Sequence, residues 1–82
     1  PEGVTWVGKG PLAAVAVYRA DEVVFIDAEA GKVVERLAAD YEPYGIVATK
    51  DGKTLFVTHE YPAVVSEIDA ATRKVRRTIP VG

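Results

Sequence analysis

The chain has 82 residues, with ten basic side chains, twelve acidic side chains and one histidine, so its formal net charge is −2. A chain of this size forms one small domain with a marginal core. Because it contains no cysteine, a disulfide framework and a Cys-based zinc site are excluded. The basic cluster at residues 73–77 is short, so we expect a solvated strand face and no nucleic-acid partner.

An internal repeat organises the chain. Asp27 and Asp69 each lie in the pattern Ile-Asp-Ala-(x3)-Lys-Val, 42 residues apart, and at that offset about a quarter of the aligned positions are identical without a gap. A period in the low forties, with short β-type runs and turn residues, is typical of four-stranded propeller blades. The sequence therefore predicts one all-β segment of two four-stranded antiparallel propeller blades, blade 1 at residues 1–42 and blade 2 at residues 43–82, which is an incomplete propeller.

Blade 1 is predicted to form four strands in chain order, and Asp27 to hold the turn before the fourth. Its carboxylate is expected to accept backbone N–H groups one to three residues later. Trp6 falls on the first strand, which is predicted to lie nearest the propeller axis, so we expect it to pack inside rather than to form a sugar-stacking platform. The predicted strands are Val4 to Val7, Ala13 to Tyr18, Val23 to Ile26 and Lys32 to Ala38.

Blade 2 is predicted to repeat this order. The Asp51-Gly52 step favours a tight hairpin turn because glycine accepts positive φ, and Asp69 is expected to act as Asp27 does in blade 1. Apolar residues alternate along the fourth strand and Pro80 is tolerated only at an edge, so we expect a half-buried outer strand. The predicted strands are Tyr44 to Thr49, Leu55 to His59, Val64 to Ile68 and Lys74 to Val81.

The residues that suggest chemistry are few. His59 is the single histidine, and we expect it to be a surface loop residue, because alone it provides neither a metal site nor a Ser/His/Asp arrangement. Asp27 and Asp69, like Asp51 and Gly52, are interpreted as structural turn residues and not as catalytic groups. We therefore predict no catalytic residue, no metal ligand and no cofactor. The candidate ligand- or partner-binding loops contain His59, Glu60 and Tyr61, with Tyr18 and Arg19 at the matching place in blade 1.

Blade 2 closely resembles the repeats of the YVTN family of β-propellers. The resemblance lies in Asp51-Gly52-Lys53, in Phe56-Val57-Thr58-His59, where that family usually has Tyr-Val-Thr/Ala-Asn, and in the Ile-Asp-Ala pattern around Asp69. Blade 1 is more diverged, with Lys9-Gly10 at the turn. A WD40 repeat fits less well, because neither repeat ends in Trp-Asp.

The resemblance implies a bacterial or archaeal protein that is periplasmic, secreted or at the cell surface. The leading functional hypothesis is a non-catalytic scaffold or binding module from such a protein. The alternative is part of a propeller enzyme, lactonase-like or of the haem d1 type, whose active site needs further blades. Both ends fall at repeat boundaries, so we interpret the chain as an excised piece, and its N-terminus does not have the pattern of a signal peptide.

The expected partners are further copies of the chain, or the missing blades of a parent protein. Two blades cannot close a ring of about four to eight blades, and each would expose an apolar sheet face. We therefore expect self-association through blade faces, either in a closed ring of copies or in a face-to-face packing that is not a ring. The longest apolar stretch, Leu12 to Tyr18, is too short to span a bilayer, so we expect no membrane insertion.

Overall fold

A computed structural model describes residues 3–39, 42–59 and 63–81 as two four-stranded antiparallel sheets. Within each sheet, strands that follow one another in the chain lie side by side. The predicted all-β class with two propeller-like blades is therefore confirmed. The first sheet contains β1 Gly3–Trp6, β2 Leu12–Val17, β3 Glu22–Asp27 and β4 Lys32–Ala38, and the second contains β5 Pro43–Ala48, β6 Thr54–His59, β7 Val64–Asp69 and β8 Lys74–Pro80.

The sequence repeat is also a repeat of hydrogen bonds. The Ala28 N–H donates to the Pro11 carbonyl at 2.9 Å, and the Ala70 N–H donates to the Lys53 carbonyl at 3.0 Å. The last three strands of each sheet also begin and end at positions 42 residues apart. The two blades are thus copies of one backbone unit, which allows their residues to be compared position by position.

The hydrophobic core lies between the two sheets. One face of β2 and β3 contributes Ala14, Val23 and Phe25, and one face of β6 and β7 contributes Leu55 and Ile68, among other buried residues. The first strands, β1 and β5, lie against each other. Because apolar burial is the main source of folding free energy, each blade is stabilised mainly by covering one face of the other.

The fourth strands form the outer edges, as the proline in the fourth strand of blade 2 predicted. The expectation of a half-buried alternating strand is wrong, however, because β8 is exposed except at Ile79. In the pairing with β7, Glu67 faces Arg77 and Ile68 faces Val75, so Arg76 is an extra, bulged residue. The bulge breaks the alternation, and the edge position leaves most side chains in solvent.

Candidate functional site

Asp27 and Asp69 each hold the turn before a fourth strand. Oδ1 of Asp27 accepts the N–H groups of Glu29 at 3.0 Å and Ala30 at 2.9 Å. Oδ1 of Asp69 accepts those of Ala71 at 2.9 Å and Thr72 at 3.0 Å. The hydrogen bonds expected from the sequence are therefore present in both blades. In each blade they occupy one carboxylate oxygen with two backbone N–H donors.

Arg76 joins two carboxylates on the edge of blade 2. It donates to Oδ2 of Asp69 and to Oε2 of Glu67, each at 3.0 Å, while Arg77 donates to Oε1 of Glu67 at 2.9 Å. The bonds from Arg77 and then Arg76 lower the pKa of Glu67. The N–H of Thr72, followed by Arg76, lowers the pKa of Asp69. The network results from the bulge at Arg76, which the sequence pattern did not reveal.

The connection between β5 and β6 spans residues 49–53 and contains the predicted glycine turn. Gly52 has a φ of +72°, and its N–H donates to the Thr49 carbonyl at 2.9 Å. Oδ1 of Asp51 accepts the Thr49 hydroxyl at 2.6 Å and the Lys53 N–H at 2.9 Å, and these bonds lower the pKa of Asp51. A methyl group at Gly52 would lie 2.7 Å from Cα of Gly8, so this turn also sets how closely the blades approach.

Arg73 connects the two blades. It donates to Glu35 of blade 1 at 3.0 Å, and its guanidinium carbon lies 5.2 Å from the centroid of the Phe25 ring. Its backbone has a φ of +58° at the position where blade 1 has Gly31, with a φ of +71°. The expectation that Arg73 lies on a solvated strand face is wrong, because its contacts depend on the packing of one blade against the other.

His59 is a buried strand residue, not the surface loop residue that we expected. It ends β6 with 6% of its surface exposed, and its Nε2 is hydrogen-bonded to Oγ of Ser66 at 2.7 Å. Both side chains line a cavity of about 80 Å³ between the blades, with Leu37, Ala39 and Val57 among its other walls. Ser66 was not among the residues predicted from the sequence, although a hairpin of the two predicted strands places it on the same face as His59.

The other candidate loop residues are only partly described. Tyr18 is half-buried and Arg19 is exposed, and both lie in a single turn of 3-10 helix at Tyr18–Ala20. Glu60 and Tyr61 lie outside the described residues. The structure therefore separates His59, which is inside the blade interface, from the exposed Arg19.

Trp6 does not pack in the core, contrary to the expectation from its inner strand. It is 59% exposed and lies on the face of blade 1 that is turned away from blade 2. Alternation explains this position, because its strand neighbour Thr5 points to the opposite face. Trp6 forms one wall of an apolar groove of about 350 Å³, together with Val4, Val15 and Ile26.

A wider, open groove of about 560 Å³ runs between the blades on the side of the turns. This volume is within the range of about 300–1,000 Å³ that small-molecule sites occupy. The carboxylates of Asp51 and Asp69 and the guanidinium groups of Arg73 and Arg76 line it, but each of these groups also forms the turn or ion-pair contacts described above. The bonds of Asp51, Asp69 and Arg76 lie within blade 2, and Arg73 joins blade 2 to Glu35 of blade 1. The charged groups of the groove are thus already engaged in holding the fold.

No family model matches the chain, and no curated protein matches it significantly. Within residues 3–39, 42–59 and 63–81, no group of three or more His, Cys, Asp or Glu side chains is placed to hold a metal ion. No helix in this described part of the chain is long and apolar enough to cross a membrane.

Proposed function

We propose that the chain is a non-catalytic β-propeller scaffold or binding module. The observation that carries this proposal is that the polar groups singled out for chemistry have structural partners. Oδ1 of Asp27 and of Asp69 accepts two backbone N–H groups each, and His59 is bonded to Ser66 inside the blade interface. Because these groups stabilise the fold, binding of a ligand or partner would use the exposed surfaces and loops.

We further propose that the repeat is of the YVTN type and belongs to a periplasmic, secreted or cell-surface protein of bacteria or archaea. The Asp-Gly turn at Gly52 and the Asp-capped turn at Asp69 support the repeat assignment, because two of the three segments that carry the resemblance form turns between strands of the blade. The cellular location rests on the resemblance.

The contact between His59 and Ser66 is the observation that favours the alternative, part of a propeller hydrolase. A serine hydroxyl hydrogen-bonded to a histidine is the pair of groups that a nucleophile and its general base form in covalent catalysis. The cavity beside the pair measures about 80 Å³, however, while small-molecule pockets occupy about 300–1,000 Å³. The geometry therefore supports a structural pair better than a nucleophile and its base.

Assays of ester and lactone hydrolysis distinguish the two functions. We expect the wild-type chain and Ser66→Ala to hydrolyse a p-nitrophenyl ester and a γ-lactone at the same rate as buffer. Saturable turnover by the wild type that disappears in Ser66→Ala, while the circular dichroism spectrum is unchanged, would contradict the scaffold proposal. Thr58→Ala is a matched control, because Thr58 neighbours His59 on β6 but is exposed.

A further inference from the structure

Each blade has one face that the other blade does not cover. We call the uncovered face of blade 1 the head face, which contains Val4, Trp6, Val15, Val24, Ile26 and Val33. The uncovered face of blade 2 is the tail face, which contains Val47, Phe56, Val65 and Ile79. Val81, which follows β8, is assigned to it because it corresponds in the repeat to Ala39, a residue of the core between the blades. Both faces expose large apolar side chains, Val4 at 68%, Val47 at 58% and Val81 at 63%.

The repeat relates these two faces to the interface inside the chain. Shifted by 42 residues, the head-face residues Val4, Val15 and Ile26 correspond to Ile46, Val57 and Ile68, which blade 1 covers. The tail-face residues correspond to the face of blade 1 that covers Ile46, Val57 and Ile68. Phe56 corresponds to Ala14, Val65 to Val23 and Ile79 to Leu37. The interface within the chain is thus a template for contact between a tail face and a head face.

We propose that the chain binds a second copy of itself head to tail, with the tail face of one copy covering the head face of the next. The partner is a copy of this chain because the tail face is the surface that the repeat matches to the head face. Since the two surfaces differ, the contact is heterologous, and each copy in such a contact keeps one face free for another copy. This inference rests on the faces and not on the proposed function.

Two of the exchanges between the repeats suit an apolar contact between copies. The polar pair in the interface within the chain, His59 and Ser66, corresponds to Val17 at the end of β2 and to Val24 in the head face. Leu55, buried on the blade 2 side of the inner interface, corresponds to Ala13 of blade 1. Ala14, buried on the blade 1 side, corresponds to Phe56 of the tail face, so the large side chain lies on the opposite side of the contact between copies. Interfaces that keep total volume and apolar character are tolerated well.

Two differences weaken the contact between copies relative to the one inside the chain. Arg73, which bonds Glu35 across the inner interface, corresponds to Gly31, so that ion pair is not repeated. Phe25 corresponds to Glu67, which is already bonded to Arg76 and Arg77 and would be covered as an ion pair. Covering charges costs desolvation energy, so we expect copies to separate on dilution before the chain unfolds.

Blocking one face at a time tests the proposal. The head-blocked variant carries Val4→Glu and Trp6→Glu, and the tail-blocked variant carries Val47→Glu and Val81→Glu. All four side chains are mostly exposed in the single chain, so folding should persist, and urea unfolding of each variant verifies this. Ala30→Glu, in an exposed turn outside both faces, is the matched control and should associate like the wild type.

Light scattering measures the molar mass of each blocked variant alone and of their mixture at equal concentrations. Each blocked variant alone should be a monomer of 8.8 kDa, and their mixture should form a 1:1 complex that grows no further, because only one head face and one tail face remain. The proposal is overturned if the wild type stays monomeric, if either blocked variant dimerises alone, or if the mixture does not associate. Ester hydrolysis by the wild type would contradict the proposed function but not this inference.

Discussion

Asp27 and Asp69 hold the same turn with the same oxygen, but Asp69 also binds Arg76, whose position is occupied by Val34 in blade 1. We predict that Asp27→Ala lowers the free energy of unfolding by about 0.5–2 kcal/mol, the range for losing a side chain that caps backbone donors, and that Asp69→Ala costs more. Urea unfolding measures both. Asparagine keeps the turn acceptor, so Asp27→Asn should be milder than Asp27→Ala, while equal losses at Asp27→Ala and Asp69→Ala would contradict a role for Arg76.

The lowered pKa values of Glu67 and Asp69 predict a direction of pH dependence. Because each carboxyl has a lower pKa in the folded chain than in the unfolded chain, the unfolded state takes up protons first as the pH falls. The stabilisation is complete at neutral pH and is lost as the pH falls through and below about 4, the ordinary carboxyl range. Urea unfolding between about pH 7 and pH 3 should show a weaker pH dependence for Glu67→Gln than for the wild type, and an unchanged dependence would refute the assignment.

The strands and their turns could be predicted because they depend on local sequence. The predicted bounds differ from the observed ones by at most one residue at either end, since hydrophobic runs and turn residues determine where a strand begins and ends. The bulges at Val34 and Arg76 could not be predicted, because an extra residue changes strand pairing without changing the hydrophobic pattern. As a result, the predicted faces of the fourth strand were wrong while its bounds were nearly right.

The turn at Gly52 provides a test of how the two blades are joined. Gly52 and Gly31 have φ values of +72° and +71°, but a methyl group at Gly31 would meet no atom within 4 Å, while one at Gly52 would lie 2.7 Å from Gly8. We predict that Gly31→Ala costs about 1–2 kcal/mol, the cost of a left-handed conformation, and that Gly52→Ala costs more. Thermal unfolding compares the two variants. Equal losses would show that the blades can move apart at this turn without a penalty.

The environments of His59 and Trp6 were not predictable from local sequence, because burial in this molecule depends on which face another blade covers. His59 lies on the covered face of blade 2 and Trp6 lies on the uncovered face of blade 1, although both belong to regular strands. A strand pattern shows which residues share a face. It does not show which of the two apolar faces the other blade covers, because that is determined by the packing of one blade against the other.

Whether head-to-tail copies close into a ring determines which assemblies can form. A ring of identical two-blade chains contains an even number of blades, and rings of about four to eight blades are known. We predict three or four copies, and therefore a mass of three or four times 8.8 kDa at high concentration. On dilution, light scattering should show dissociation to monomers that keep their β-sheet circular dichroism signal, since the Arg73–Glu35 ion pair stabilises the joint within each chain but not the contact between copies. A mass that rises continuously with concentration would indicate open chains of copies and contradict closure, while a folded monomer at every concentration would contradict the head-to-tail contact itself.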